Sequence, residues 1–367
     1  MNMHPMEVGG RVPRLRQSVE KAGCDALVVT DLTNVRYLTG FTGSAGVLLV
    51  RADRALLVTD GRYETQAAEQ LSGAGVEADV EVGNLPRQDE ILRAAGSGCR
   101  RIGLEARHVS WGRQRALAAE VFPAAEVVAT EDLVEALRMV KDAGELDRMA
   151  AAARIADEAL GEVRRRLVDA PTEREFAIEL DFAMRRAGAA DVSFETIVAT
   201  GPNGAKPHAR PSDRRIVPGE LVVLDFGALV EGYHSDMTRT LCVGSPATAT
   251  RSRMAEVVAA AQAAGVAAVK AGVAARDVDA TCREIIAGAG WGAAFVHGTG
   301  HGVGLDIHEQ PMLSATATGT LPAGSVVTVE PGVYLRGEGG VRIEDSVVVT
   351  ADGCRPLTNS PKDLVID

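Results

Sequence analysis

Histidine and aromatic residues are scarce in this chain of 367 residues, which has seven His, two Trp, four Tyr and seven Phe. Basic residues are outnumbered, 39 to 50, and the net charge of −11 removes the cationic face that binding a nucleic-acid backbone requires. The five cysteines, Cys24, Cys99, Cys242, Cys282 and Cys354, are odd in number, scattered and without metal-site spacing. A disulfide framework and a thiolate metal site are therefore not expected, and reduced thiols in a cytoplasmic protein are the simplest reading. The opening "MNMHPMEVGGRVPRL" has no apolar core of a signal peptide. The most apolar long stretch, "VVAAAQAAGVAAVKAGVAA" from Val257, is mostly alanine and carries Lys270, so it reads as a packed helix and not a membrane span. No phosphate-binding glycine fingerprint follows a strand, and no His-Glu-x-x-His occurs.

What remains is 46% hydrophobic and 24% charged, the composition of a soluble globular protein with a real core, at a length that suits two domains. Residues 1–135 alternate helix and strand signals. "RVPRLRQSVEKAG" is helical and "DALVVT" is a short buried strand. "GVLLVR" and "RALLVTD" form a hairpin, "RYETQAAEQL" is a helix, and "RIGLEA" and "AEVVAT" are further strands. This predicts a small α/β domain.

Residues 136–367 carry a repeated order. One helix spans about 145–168. A second follows in "PTEREFAIELDFAMRRAG", where Thr172 and Glu175 form a capping-box signature. Strands come next, in "ETIVATG" and "LVVLDFGALVEGYHSDMTRTLCVG". Helices over about 250–270 and 275–288 then precede the strands "VVTVEPGVYL" and "GGVRIEDSVVVT". Helix, helix, then a carboxylate-bearing hairpin occurs twice, as expected of an α+β domain with two pseudo-twofold halves facing one site.

The carboxylates fall in register. If Glu231-Gly232 is a two-residue turn, Val230 pairs with Tyr233, Asp225 lies opposite Thr238 and Asp236 opposite Gly227. Asp225 and Asp236 then share one face as diagonal neighbours. Two solvated acids on an exposed hairpin are the plainer reading, but "LVVLDFGALV" is too apolar for it. In the second hairpin a turn at Arg336–Glu338 brings Glu330 opposite Glu344, with Arg342 on the same face as Glu344. A buried ion pair of Arg342 with Glu344 or Glu330 fits that pattern as well as a metal site does.

Three of the seven histidines, His297, His301 and His308, lie in "HGTGHGVGLDIHE" among Gly298, Gly300, Gly302 and Gly304. Each glycine would cost about 1 kcal/mol in a helix interior, so a tight loop is expected, where glycine permits positive φ and close backbone approach. A lone histidine is most often a satisfied core residue. Two Asp, two Glu and at least one His on converging elements make a different set, one that suits hard or borderline divalent ions. Four negative charges match two such ions, and a pair of them can drive hydrolysis.

"LDFGALVEGYHSDMTRT", "HGTGHGVGLDIHE", "TVEPGVY" and "GGVRIEDSVVV" resemble the signature segments of the pita-bread metallopeptidases, a family that includes aminopeptidase P, prolidase and methionine aminopeptidase. "VSFETIVATGPNGAKPHARP" resembles its Xaa-Pro branch, and "LTNVRYLTGFTGSAG" a creatinase-like N-terminal domain. The resemblance implies an N-terminal creatinase-like domain over 1–135 and a pita-bread catalytic domain over 136–367. It implies that Asp225 holds one metal ion, that His301 and Glu330 hold the other, and that Asp236 and Glu344 bridge both. Glu330 would also be the general base. His208 would stabilise the tetrahedral intermediate, His297 would line the proline pocket, His308 would lie near the substrate carbonyl, and Arg342 would support the ligands. His234 has no counterpart and reads as structural or exposed. The implied activity is metal-dependent hydrolysis of Xaa-Pro bonds in short peptides with proline at the second position, by a cytoplasmic homodimer with no nucleic-acid or membrane partner. Manganese is the first candidate metal, with cobalt, zinc and iron behind it. Methionine aminopeptidase activity is the alternative within the family, and a non-catalytic peptide-binding protein is the alternative outside it. A creatinase-like hydrolase works without metal, and the five ligand positions argue against it.

Overall fold

The computed structural model describes residues 3–367 and divides the chain into two compact units. One is Pro5–Arg138, and the other joins Met139–Asp367 to the residues up to His4. Met1 and Asn2, which begin the segment read as lacking a signal-peptide core, lie outside the described residues.

In Pro5–Arg138 a six-stranded mixed sheet forms the centre. Ala26–Val29 pairs antiparallel with Val47–Arg51 and parallel with Arg101–Glu105. The hairpin Val47–Arg51/Ala55–Thr59 and the parallel pair Arg101–Glu105/Glu126–Thr130 occur where the sequence pattern put strands. The helices Trp111–Ala116 and Glu135–Arg138 escaped that pattern, and so did Leu32–Thr39 and Leu85–Ala95. The start signals of the latter two are nonetheless in the sequence: Asp31 and Asn84 accept the cap bonds of Thr33 N and Arg87 N.

In Met139–Asp367 the doubled order is observed. The helix Ala143–Val163 and the helix Glu173–Arg186 pack on the sheet of Ile197–Thr200, Leu221–Phe226, Met237–Val243 and Val365–Ile366. Glu173–Arg186 starts at the Thr172/Glu175 capping box, and its core face is Phe176, Leu180, Ala183 and Met184. That spacing is one stripe of a helix, and burying Phe176 or Leu180 contributes about 1.5–3 kcal/mol each. The helices Ala249–Ala268 and Ala275–Gly288 pack on the strands of the second half.

Both hairpins keep the expected register. Val230 pairs with Tyr233, Thr238 with Asp225, Val329 with Asp345, and Leu335 with Gly339. Glu231 and Gly232 have φ of 44° and 79°, as a two-residue turn that follows strand twist requires. The strands are shorter than the sequence suggested, because each hairpin is two ladders with a break between them. Asp236 sits in the gap between Tyr233–His234 and Met237–Val243, and Glu330 and Glu344 face the gap of the second hairpin. Among the described residues, no helix is long and apolar enough to cross a membrane.

Candidate metal centre

The segment expected to be a tight loop is partly a strand, Gly300–Gly302, paired with both Glu309–Leu313 and Val326–Val329. Its glycines serve close approach and not positive φ. A Cβ at Gly300 would meet Thr328 O at 2.0 Å, and one at Gly302 would meet Gln310 O at 2.3 Å. The narrow strand puts His301 directly against the second hairpin.

His301 Nδ1 lies 3.0 Å from Gly302 O, a group that can only accept, so Nδ1 carries a proton. Burial opposes a second one, but Glu330 raises His301 and favours a proton on Nε2 as well, which a bound cation would displace to take the lone pair. Nε2 lies 3.3 Å from Glu330 Oε1 and 3.5 Å from Asp236 Oδ2. Ligand atoms of Asp236, His301 and Glu344 all fall within 4.8 Å of one another, and all three residues are buried. Asp225 is outside this triple. Its Oδ2 lies 2.5 Å from Arg342 Nη2, a pairing that the sequence pattern does not single out beside the Arg342–Glu344 and Arg342–Glu330 alternatives. The Arg342 Nε–Glu330 Oε2 separation is 4.0 Å. The reason is that the strand Leu221–Phe226, which bears Asp225, packs against Gly339–Arg342.

The charge balance is strained as it stands. Burial, joined by the charge of neighbouring carboxylates, pushes Asp236 and Glu344 well above the usual carboxylate range. Burial also raises Asp225. Glu330 is the exception: burial would raise it, but His301 and Arg342 outweigh burial and lower it to about 2. Asp225 Oδ1 and Glu344 Oε1 are buried with no hydrogen-bond partner. Buried acceptors are seldom left so. Carboxylate oxygens with one imidazole lone pair fit divalent cations, which would supply what the protein withholds.

Around this cluster is a cavity of about 580 Å³, whose wall includes all five candidate ligands with Arg342, His208, His297 and His308. His208 and His308 are exposed. The His308 ring stands edge-on to His301, with centroids 4.4 Å apart. His297 is tied at both nitrogens, Nδ1 to Gly298 O at 2.8 Å and Nε2 to Tyr334 Oη at 2.9 Å. Arg342 Nη1 donates to the same Tyr334 oxygen at 2.7 Å. A guanidinium only donates and a carbonyl only accepts. The chain therefore runs in one direction: Arg342 to Tyr334 Oη, Tyr334 O–H to His297 Nε2, His297 Nδ1–H to Gly298 O. Burial lowers His297 from the ordinary histidine value, which agrees with this neutral form.

Tyr334 was missed in the sequence. Its signal was period two: it lies four residues after Glu330 on the same face, and Gly332 between them pairs with Arg342. His234, read as structural or exposed, is half-buried with Nδ1 2.8 Å from Ser193 Oγ.

Residues 147–351 match the model of metallopeptidase family M24, and residues 11–140 match the creatinase/prolidase N-terminal domain. The chain is 41% identical to an uncharacterized peptidase of Bacillus subtilis, over 97% of this chain and 99% of that protein. It is similar in structure to an Xaa-Pro dipeptidase from Bacillus anthracis, with a TM-score of 0.90 and 39% identity over 97% of this chain and 99% of that one. An X-Pro aminopeptidase from Thermotoga maritima gives a TM-score of 0.85 and 34% identity, over 95% of this chain and 100% of that one. The similarity covers both units and the whole candidate site, and this chain belongs to metallopeptidase family M24.

Proposed function

We propose that the protein is a dinuclear metal-dependent exopeptidase that hydrolyses the bond before proline, at the N-terminus of a peptide or in a dipeptide. The observation that carries this reading is the convergence of Asp236, His301 and Glu344 within 4.8 Å, in the wall of a cavity shared with His208, His297 and His308. The names of the similar structures, a dipeptidase and an aminopeptidase for Xaa-Pro substrates, support the bond class.

In this proposal Asp225 would contribute to one divalent-ion site, His301 and Glu330 to the other, and Asp236 and Glu344 to both. Manganese is the preferred occupant because the donors are mostly hard carboxylate oxygens, with cobalt, zinc and iron as substitutes. When bound, the ions supply Lewis acidity and activate water at neutral pH. Glu330 is ionised at neutral pH and would take the proton of the attacking water. It then returns that proton to the proline nitrogen as the bond breaks. His208 donates to the carbonyl oxygen as negative charge grows on it. The cavity-facing side of the otherwise exposed His308 ring is desolvated, which lowers His308 from the ordinary histidine value. It too is therefore neutral and has one N–H to offer the substrate carbonyl. With both nitrogens occupied, His297 presents only its ring, a suitable wall for a proline. Residues 136–367 form the catalytic domain and 1–135 the N-terminal domain in this reading. Five free cysteines agree with a reducing compartment.

Hydrolysis of Xaa-Pro dipeptides, Xaa-Pro-Yaa tripeptides and Met-Ala-Ser, each with manganese, cobalt or zinc, tests the proposal. Turnover of the proline substrates alone is expected. Preference for Met-Ala-Ser would overturn it in favour of the methionine aminopeptidase alternative. Metal bound with no turnover of any substrate would favour the peptide-binding alternative.

A further inference from the structure

The helix Ala275–Gly288 carries Asp279 and Arg283 one turn apart, a spacing that by itself means only an intrahelical ion pair. Here the pair turns inward. Asp279 is 1% exposed, and Arg283 meets it with two parallel bonds of 2.9 Å, from Nε to Oδ2 and from Nη2 to Oδ1. The remaining capacity of both groups goes to a single neighbouring segment. Arg283 Nη1 donates to Phe295 O at 3.1 Å and Nη2 to His297 O at 2.8 Å. Asp279 Oδ1 accepts from Thr299 N and Thr299 Oγ1, both at 3.0 Å. The guanidinium also lies 4.2 Å from the centroid of the Phe295 ring. Three alternate residues, 295, 297 and 299, are thus gripped by one ion pair. On its other side the segment is bound to the second hairpin, where Glu330 N donates to Thr299 O at 2.7 Å.

An ion pair with one buried partner, Asp279, and one whose side chain is 31% exposed, Arg283, is a poor source of stability. What it supplies is geometry: a planar fork bonds two carbonyls and a carboxylate at fixed angles. Neither Asp279 nor Arg283 lines the cavity, but each is one residue's backbone away from a group that does. We infer that Asp279 and Arg283 are positioning residues, which fix the 295–299 backbone so that the His297 ring stands where the substrate's proline must lie. The inference rests on the reading of His297 given above.

The test uses the full metal-loaded enzyme and an Xaa-Pro substrate. Arg283→Met keeps much of the side-chain volume but leaves the carbonyls of Phe295 and His297 without their donor. It should raise KM by about tenfold with kcat within about threefold, since small misplacements at a site are costly. Metal content should equal the parent's, which a merely structural role would not ensure. Because Arg283 acts through His297, Arg283→Met combined with His297→Ala should give a KM no higher than His297→Ala alone. Arg283→Lys, which keeps the charge but cannot fork, should fall between. Should Arg283→Met fail to fold, Arg283→Lys decides, with a severalfold KM rise supporting the inference and a parental KM overturning it. Additive effects in the cycle, or loss of metal together with kcat, overturn it as well. A parental KM in His297→Ala overturns the reading of His297 and the inference with it. A raised KM in His297→Ala beside a parental KM in Arg283→Met overturns the inference alone.

Discussion

Arg342 Nη2 lies 2.5 Å from Asp225 Oδ2, while Oδ1 of the same carboxylate is buried without a protein partner. One oxygen is neutralised from within the chain and the other is left for a cation. Arg342 is itself buried and also reaches Thr238 Oγ1 at 3.0 Å and Tyr334 Oη at 2.7 Å. One guanidinium therefore links a candidate ligand to the wall that His297 forms.

Removal of metal should abolish hydrolysis and lower the Tm together. The motive is the set of buried carboxylates held above their usual range by burial and mutual repulsion. At a free ion concentration 100 times Kd, binding contributes about 2.7 kcal/mol to stability. Activity and a thermal melt are measured after chelation and again after manganese is restored. Full turnover in the metal-free sample would contradict the metal assignment.

Asp236→Asn should remove most turnover and at least one metal ion, and should lower stability less than it lowers activity. The amide is a poor ligand, but its neutrality also relieves repulsion with Glu344, which pushes Asp236 upward in the parent. Metal content and Xaa-Pro hydrolysis are read on one sample. Parental values of both would show that Asp236 is not a ligand.

Tyr334→Phe should lower kcat/KM without loss of metal. The hydroxyl both accepts from Arg342 and donates to His297, so its removal frees His297 Nε2 and leaves Arg342 Nη1 with only Pro207 O, at 3.3 Å. Losing a hydrogen bond to a charged group costs about 1.5–3 kcal/mol. Steady-state kinetics beside metal analysis checks this, and unchanged kinetics would mean that the chain does not orient the site.

Lys141→Met should destabilise the protein by about 3–5 kcal/mol, the usual result of stripping one partner from a buried ion pair. Lys141 Nζ lies 3.3 Å from Glu309 Oε2, with side-chain exposures of 1% and 6%. Glu309 in turn accepts from Asp306 N at 3.0 Å, within the turn that leads to His308. Urea unfolding gives the value, and a change under 1 kcal/mol would show that the pair contributes little.

Period-two alternation and turn chemistry made both hairpins legible, because side chains alternate strictly along a strand and one turn sets every partner. The Thr172/Glu175 box marked its helix for a similar local reason. Local rules served less well where two elements meet. Helix starts at Asp31 and Asn84 were present as signals but had no strong apolar stripe behind them.

Sequence alone determined the register that sets Asp225 and Asp236 on one face, because strand parity and the two-residue turn at Glu231-Gly232 are short-range properties of the chain, while the ligand set is what the family resemblance implies. Tertiary structure decided which charges meet. It paired Arg342 with Asp225, threaded Tyr334 between Arg342 and His297, and closed the Asp279–Arg283 pair over residues 295–299. Those partners lie 8 to 117 positions apart and on different elements. A side chain's reach across such gaps depends on how sheets and helices stack, which no periodicity within one segment can encode.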